Sequence, residues 1–555
     1  MKLRNLRPRL EMIVLTIMSM SVFGVVQLRA QGGEPRSFAI RGAKIIPVSG
    51  PAIDNATLVV SKGIIIALGK DEAIPPDAWV IEGKGLTVYP GFIDSFTDVG
   101  IAAVQSDGDG KGKPQALSKG PEDRPATTPW RNAADEINVN DPRIETWRAA
   151  GFTTTISAPK GGMFPGQAAV LDLAGDRPGN FVVKNMSAIP VSLQAPGGFR
   201  SYPGSLMGAI AYVRQVWIDT NWDALAEASY EKSPRGTERP RYDRTEFALN
   251  DALAKHALVL LPGNTSSEIQ RAMRLATEWK LNVAIYGGQM GYEVATELAA
   301  KKTPVLVNLK WPEAEKDADP DAETSLRTLR FRDRAPSSPA ALQKAGVKFV
   351  FYSGGIASPK DLFPAVKKSI DAGLSPDAAL RALTLSAAEI YGIADVLGSI
   401  EKGKIANLVV TDGDIFDKKT KIRIVFVDGR KFEVREPLRP SEPPKGDLTG
   451  KWKLTYTTPQ GQEESVADLV MSSDGTLTGT LSSHRGTGTI FGGYLSGDKF
   501  SFTINIPVEG SPQDVHFSGT FDGTTMKGTI GAMGYSFDFS GTKPGVATMT
   551  AGGAK

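Results

Sequence analysis

The sequence predicts an α/β protein: a (β/α)8 TIM-type barrel with β-rich segments on both flanks, followed by a small antiparallel β-barrel. Three observations carry this. Between about Pro90 and Asp395, β-rich runs recur at roughly 20 to 25 residues with helical patterns between them, which implies parallel strands. On either side, short β-branched runs are broken by turn residues and leave no room for a buried helix. Beyond a Pro-rich break (Pro437, Pro440, Pro443, Pro444), strand patterns alternate with tight turns at Asp474-Gly475, Gly497-Asp498 and Asp522-Gly523.

A chain of 555 residues exceeds one ordinary domain, and 41% hydrophobic with 23% charged residues excludes general disorder. Residues 1–30 carry five basic residues and one acidic residue, a local sum of +4. The total is +3, so the remainder carries −1 and offers no global attraction for nucleic acid. Lys2 to Arg9 form a basic stretch, Met12 to Val26 an apolar run, and Ala30 a small residue at a cleavage point. This is the layout of a secretory signal peptide; an uncleaved anchor is the alternative. The predicted location is export to the periplasm or medium of a bacterium, with no membrane span after cleavage.

In order along the chain, Ala39–Arg41, Thr57–Val60 and Gly63–Leu68 read as strands of a first β-rich block, residues 31–89. The barrel spans residues 90–398. Phe152–Ile156 is a β-branched strand and Leu258–Leu261 an apolar one. Thr265 and Glu268 are spaced as a capping box opening a helix, with Ile269, Ala272, Met273 and Ala276 on one face. Val283–Tyr286, a helix from Gly291 to Ala300, Val305–Val307, a helix around Ala340 and Val347–Tyr352 continue the repeat. Asp107–Pro129 and Trp311–Arg334 read as long loops, either functional lids or plain surface. Arg235, Arg239, Arg241 and Arg244 read as a solvated loop. A second β-rich block, residues 399–436, holds Leu408–Thr411, Arg423–Val427 and an Asp428-Gly429 turn. The linker is 437–447 and the last domain 448–545.

Several segments of the barrel and its flanks resemble the amidohydrolase superfamily. They are Tyr89–Asp94, Gly151–Thr154, Ser386–Gly392, Gly398–Val409 and Val425–Arg430, in the right order over roughly 400 residues. The closest flavour is that of secreted bacterial, imidazolonepropionase-like members. The resemblance implies a barrel flanked by one small β-sandwich from both chain ends, hydrolysis of carbon–nitrogen bonds, and water activated on zinc or another divalent metal.

The metal ligands that the resemblance implies are absent. The His-x-His positions hold Phe96 and Asp98; the fifth-strand histidine falls at Pro262 or Asn264, the sixth at Gly287, the shuttle aspartate at Gly354 and the bridging lysine at Pro190. The chain has no cysteine and three histidines, of which only His256 lies in the barrel, at a helix end; His484 and His516 lie in the last domain. No metal or other cofactor is therefore expected. Asp94, Asn264, Tyr286, Gln289, Asn308, Tyr352 and Ser353 follow strand ends and are the candidates to line a pocket for a small-molecule ligand. Asp98 with Lys310 is the pair that would perform acid–base work. Gly161–Gln167 is a glycine-rich loop that fits an anion cradle or a tight turn. Gly450-Lys451-Trp452 resembles the opening of lipocalin-like barrels, which implies an accessory domain with room for one ligand.

Two functions follow. The first is an exported amidohydrolase-type protein, metal-free, with lost or altered hydrolysis and a retained ligand pocket. The alternative is an active hydrolase of non-peptide amide or cyclic carbon–nitrogen bonds with an atypical site. A third reading places the function in the last domain. Oligomerisation is open.

Overall fold

The computed structural model of the protein describes residues 37–101, 124, 127–194, 203–314, 323–356, 358–434, 442–458, 461–472, 474–484, 486–508, 511–532 and 535–543. The signal segment, most of the Asp107–Pro129 loop, and Pro437 and Pro440 of the linker lie outside the described residues. The chain divides into two compact units, Met1–Val434 and Arg435–Lys555.

In the first unit both flanks contribute to one sheet. Strands β1 (Ser37–Ile45), β2 (Ile53–Ser61), β3 (Ile64–Gly69), β4 (Trp79–Glu82) and β5 (Thr87–Pro90) come from the N-terminal side. The C-terminal flank adds three strands to the far side of β5, in the order Arg430–Glu433, Ile422–Val427, Leu408–Thr411, β5, β1, β2, β3, with β4 on β1. Lys62 and Gly63 have φ of 50° and 82°, and Asp428 and Gly429 φ of 51° and 71°. Two left-handed residues in a row match the right-handed strand twist and close two-residue hairpins. The alternating apolar residues Phe38, Ile40, Leu58, Val60, Val88, Leu408 and Phe426 form the core of this layer.

The barrel begins at β6 (Phe92–Thr97). It continues with helix α1 (Pro142–Ala149), β7 (Phe152–Ser157), β8 (Ala168–Asp172), β9 (Val182–Pro190), α2 (Leu206–Lys232) and α3 (Arg244–Ala254). Next come β10 (Leu258–Gly263), α4 (Ser266–Glu278), β11 (Val283–Gly287), α5 (Ala295–Ala300), β12 (Val305–Asn308), α6 (Leu326–Arg334), α7 (Ser338–Lys344), β13 (Phe349–Tyr352) and α8 (Leu362–Asp371). The sheet runs in sequence order from β6 to β13. It departs from a uniform β/α repeat at one place. Strand β8 pairs antiparallel with both β7 and β9, and no helix separates β7 from β8. An antiparallel neighbour needs no crossover helix, so a β8 of five buried residues fits where a β/α unit was expected.

Three further expectations are corrected. The Trp311–Arg334 segment ends in helix α6, capped by Ser325 accepting from Thr328 N–H. Arg244 opens α3 and lies over the Trp130 ring at 3.9 Å rather than in solvent. The Gly291–Ala300 helix is a 3-10 turn, Gly291–Glu293, followed by α5. The Thr265–Glu268 capping box is formed.

Where the flanking sheet meets the barrel, Asp172 is buried at 3% exposure. It accepts from Thr154 Oγ1 at 2.7 Å and from Asn407 Nδ2 at 2.8 Å. Asn407 Oδ1 in turn accepts from Asp428 N–H at 2.7 Å. Burial outweighs these donors and pushes the Asp172 carboxyl up to about 7.

With the first unit's flank strands numbered β14 (Leu408–Thr411), β15 (Ile422–Val427) and β16 (Arg430–Glu433), the second unit is a closed antiparallel barrel of the eight strands β17 to β24 in sequence order, from Gly450–Thr458 to Tyr535–Thr542. Its interior is packed with side chains. Trp452 is fully buried, donates Nε1–H to Leu448 O at 2.8 Å, and meets Phe521 edge-on at 5.7 Å. Phe500, Phe502, Phe517 and Phe539 form one aromatic cluster, with Phe502 stacked on Phe500 and Phe517, and with Phe539 meeting Phe500 and Phe517 edge-on.

Two outcomes follow from this packing. A carboxyl with a raised native pKa keeps its proton in the folded state while the unfolded chain loses it, so Asp172 makes stability fall as pH rises from about 4 to about 7. Urea denaturation across that window is expected to show the fall, and Asp172→Asn to flatten that component. In the second unit Trp452→Ala removes the largest core side chain, and a loss of roughly 3–5 kcal/mol is expected by urea denaturation.

Candidate functional site

Asp94 sits in the middle of β6, 1% exposed. Its Oδ2 accepts from Trp147 Nε1 at 3.1 Å and its Oδ1 from Ser353 N–H at 3.0 Å. Trp147 comes from α1, whose start is set by Asp141 as N-cap and Pro142 in the first turn. Ser353 follows β13, the strand at the opposite end of the sheet order. Burial raises the carboxyl above its ordinary range, and the donors from Ser353, Trp147 and Phe96 N–H only partly offset this. Asp94 is thereby an internal tie between the first and last strands. Next to it, Tyr391 O–H donates to Ser95 O at 2.5 Å, and the buried Ser95 Oγ has no partner among the described residues.

The C-terminal ends of β10, β11 and β12 are laced by side-chain amides. Asn264 Nδ2 donates to Gln289 Oε1 at 3.2 Å, and Gln289 Nε2 donates to Asn308 O at 3.1 Å and Lys310 O at 2.7 Å. Asn308 Oδ1 accepts from Lys310 N–H at 2.8 Å. Asn308 also stands opposite Tyr352 on the neighbouring strand. The Phe96 ring lies 5.1 Å from that of Tyr286 and 5.8 Å from that of Tyr352. Tyr286 O–H donates to Val191 O at 3.0 Å. Burial raises both tyrosine hydroxyls well above their ordinary range, which leaves them as hydrogen-bond donors without acid–base use near neutrality. Six of the seven pocket candidates stand at or just after strand ends at one end of the barrel and Asp94 lies within β6, and all are engaged with one another or with the backbone.

The acid–base pair is not formed. Asp98 Oδ1 accepts from Arg143 Nη1 at 3.0 Å, and its Oδ2 lies 2.7 Å from Lys160 Nζ. Arg143 is also held by Asp141 at 2.7 Å. Lys310 is exposed, and its contacts to Gln289 and Asn308 are made through its backbone. Arg143, Trp147 and Lys160 are the residues that sequence reasoning missed. The signal was available for two of them. Asp141-Pro142 marks a helix start, and residues 143 and 147, four apart, share the helix face toward the barrel.

The remaining singled-out groups have structural places. His256 follows the end of α3 with φ 53°, its N–H bonded to Leu253 O and its carbonyl accepting from Asn282. In the Gly161–Gln167 loop, Phe164 is fully buried edge-on against Trp217, and Gln167 N–H donates to Arg131 O. In the second unit His484 lies 3.8 Å from Glu463, and His516 bonds Ser501 and Thr503.

The described residues at this end of the barrel do not fit a divalent metal. Among the described residues no group of three or more histidine, aspartate or glutamate side chains is placed to hold an ion. Gly287 has φ 117°, and a Cβ there would lie 2.9 Å from Gly263 O. Gly354 has φ 57°, and a Cβ there would lie 2.0 Å from Asn308 Oδ1. Asp98, the one carboxylate at a ligand position, is already neutralised by two cations.

Comparison with known proteins agrees with this architecture. The sequence profile of the amidohydrolase family matches residues 323–442. The chain is similar to an amidohydrolase from Thermotoga maritima MSB8, with 24% identity over 71% of this chain and 100% of that one, and a TM-score of 0.61. Weaker likenesses, with TM-scores of 0.46 and 0.41, are to phenylurea hydrolase B and to a zinc-bound adenosine deaminase from Xanthomonas campestris. They are 15% and 16% identical, and each covers 72% of this chain with 97% and 94% of the other chain. No curated protein matches the sequence. The first unit therefore has the fold of an amidohydrolase, and residues 323–442 carry that family's sequence pattern.

Proposed function

We propose that the chain is an exported amidohydrolase-superfamily protein that works without a metal centre, has lost metal-dependent hydrolysis, and serves as a small-molecule-binding protein. The observation that carries the reading is the backbone at Gly287 and Gly354. Both positions have positive φ, and a side chain there would require the Gly263 backbone or the Asn308 side chain to shift. A lost ligand leaves a hole; here the space is taken by an amide network. The ligand class is a small molecule with a flat apolar part for the Phe96–Tyr286–Tyr352 rings and polar atoms for the half-buried amides of Asn264 and Asn308. The active-hydrolase reading draws no support, because its base Asp98 is paired with Arg143 and Lys160 and not with Lys310. The lipocalin-like barrel is an accessory domain in this reading. Export rests on the residues before Gln31.

Elemental mass spectrometry of the untagged protein, after incubation with zinc, manganese and nickel and desalting, tests the metal-free part. Less than about a tenth of an equivalent is expected, unchanged in Asp98→Asn. A stoichiometric equivalent would overturn it. Binding is tested by a thermal-shift screen of small aromatic amides, in which Phe96→Ala is expected to abolish the shift of any hit.

A further inference from the structure

Seven of the eleven large apolar side chains that the described part of the first unit leaves exposed lie on α2, α3 and the loop between them, a concentration rather than a scatter. Trp222 is 68% exposed, Leu225 63%, Tyr242 64% and Phe247 60%. The rings of Tyr242 and Phe247 stand 5.7 Å apart. Single exposed apolar side chains need no explanation, but a cluster of large aromatic ones marks an interaction surface. The loop adds charge to it. Residues 232–242 hold four cations, Lys232, Arg235, Arg239 and Arg241, against one acid, Glu238, a local charge of +3 in a chain that sums to −1 beyond residue 30. Lys232, Arg235 and Arg239 are exposed and form no ion pair among the described residues.

The way the two helices run brings the loop alongside these side chains. Arg124 is held by both Asp219 of α2 and Glu246 of α3, and Asp223 accepts from Asn250 Nδ2 at 2.9 Å. The two contacts step four residues along both helices in the same sense, so α2 and α3 run parallel. At about 1.5 Å per residue, Lys232 lies about 14 Å beyond the Asp223–Asn250 contact and Arg244 about 9 Å before it. The loop therefore returns about 23 Å along the pair, past the levels of Leu225 and Trp222. It does so in solvent, since every residue from 233 to 242 is exposed except the half-buried Pro240. The neighbouring acids do not cancel its charge. Asp219, Asp223 and Glu246 are turned inward onto Arg124 and Asn250. Glu227 and Glu231 project from the side of α2 opposite Trp222 and Leu225.

We propose that this flank of the barrel binds the surface of an anionic phospholipid bilayer. Trp222 and Tyr242 are of the two residue types that settle at the bilayer–water boundary, with the ring toward the acyl chains and the N–H or O–H toward the headgroups. Leu225 and Phe247 add apolar area, and Lys232, Arg235 and Arg239 face the lipid phosphates. A bilayer offers apolar interior and anionic rim side by side over its whole area, so the flank needs no shape-matched groove. A second copy of this chain is the poorer occupant, because a two-fold contact through this flank sets one +3 loop against the other. The contact is peripheral: among the described residues no helix is long and apolar enough to cross a membrane. Apolar and cationic parts act together, as reversible anchoring needs two such signals.

Co-sedimentation of the purified full chain with lipid vesicles tests this. Binding is expected to vesicles of phosphatidylcholine with about 30% phosphatidylglycerol, and to fall about tenfold or more on pure phosphatidylcholine or at about 0.5 M salt. Arg235→Glu with Arg239→Glu is expected to weaken binding to the anionic vesicles by about 100-fold or more, since each cation near such a surface is worth roughly fivefold and each reversal adds a repulsion. Trp222→Ala with Phe247→Ala is expected to weaken it by about tenfold or more. All four positions are exposed, and an unchanged circular dichroism melt shows that each variant is folded. Residues 1–30 are the same in every variant, so binding that persists through both double substitutions is carried elsewhere and overturns the proposal. Equal binding to neutral and anionic vesicles also overturns it. So does the absence of binding to either, whether a protein covers the flank or nothing does.

Discussion

A carboxyl group in the wrong solvent organises the barrel. Asp94 is withdrawn from water in the middle of the first strand, where desolvation penalises its charge. It is tolerated because it answers a need of the backbone. The sheet order begins at β6 and ends at β13, and the N–H that follows β13, that of Ser353, donates to Asp94. Trp147 and Ser353 are thereby fixed to one side chain, and with them α1 and the end of β13. The first strand is held to the last part of the unit in two more places, by Ile93 N–H on Leu383 O and by Tyr391 on Ser95. These contacts span more than 250 residues of sequence, so the strand ends can take their places only when the whole unit has folded.

Three aspartates show how environment rather than residue type assigns a role. Asp94 is buried with neutral donors, and its pKa is raised. Asp172 is buried with two neutral donors and a nearby Asp428, and rises to about 7. Asp98 stands partly exposed between a guanidinium and an ammonium group. Only Asp98 holds a position where a metal ligand is implied, and only Asp98 has its charge balanced by fixed cations. A carboxylate so paired has little left to offer a second cation, because binding one would break two ion pairs at similar distance. In the proposed reading Asp98 therefore has its charge answered by Arg143 and Lys160 rather than by a metal.

The parts of the fold that were legible in the sequence are those in which local chemistry and global pattern coincide. The Thr265–Glu268 capping box, the Asp428-Gly429 hairpin and the apolar runs of β10 to β13 belong to this class. Strand β8 was not legible as antiparallel, since five buried residues with no polar alternation carry no direction. Helix α2 was missed for a related reason. Apolar residues on two faces erase the periodicity that betrays an ordinary surface helix. Six of the candidates do follow or end strands, as expected, whereas Asp94 lies within β6. Their mutual hydrogen bonds could not be read, because Asn264, Gln289 and Asn308 meet only across three successive strands. The same holds for Asp98, whose partners Arg143 and Lys160 lie 45 and 62 residues away.

In the proposed reading, the glycines at the implied ligand positions belong to a site packed around the absence of side chains there. At Gly354 the missing Cβ space is held by Asn308 Oδ1, which also receives Lys310 N–H. Asn308 in turn contacts Tyr352, whose ring packs on Phe96, itself at an implied ligand position. Restoring an aspartate at 354 would displace Asn308, release Lys310 N–H and unseat Tyr352. Restoring a histidine at 287 would require a backbone with φ 117° to accept a side chain against Gly263. Neither change is independent of the others, since contacting residues share partners and their effects do not add. The strand ends of this barrel are thus a packed network in which Gly287, Gly354 and Phe96 are each constrained by a neighbour.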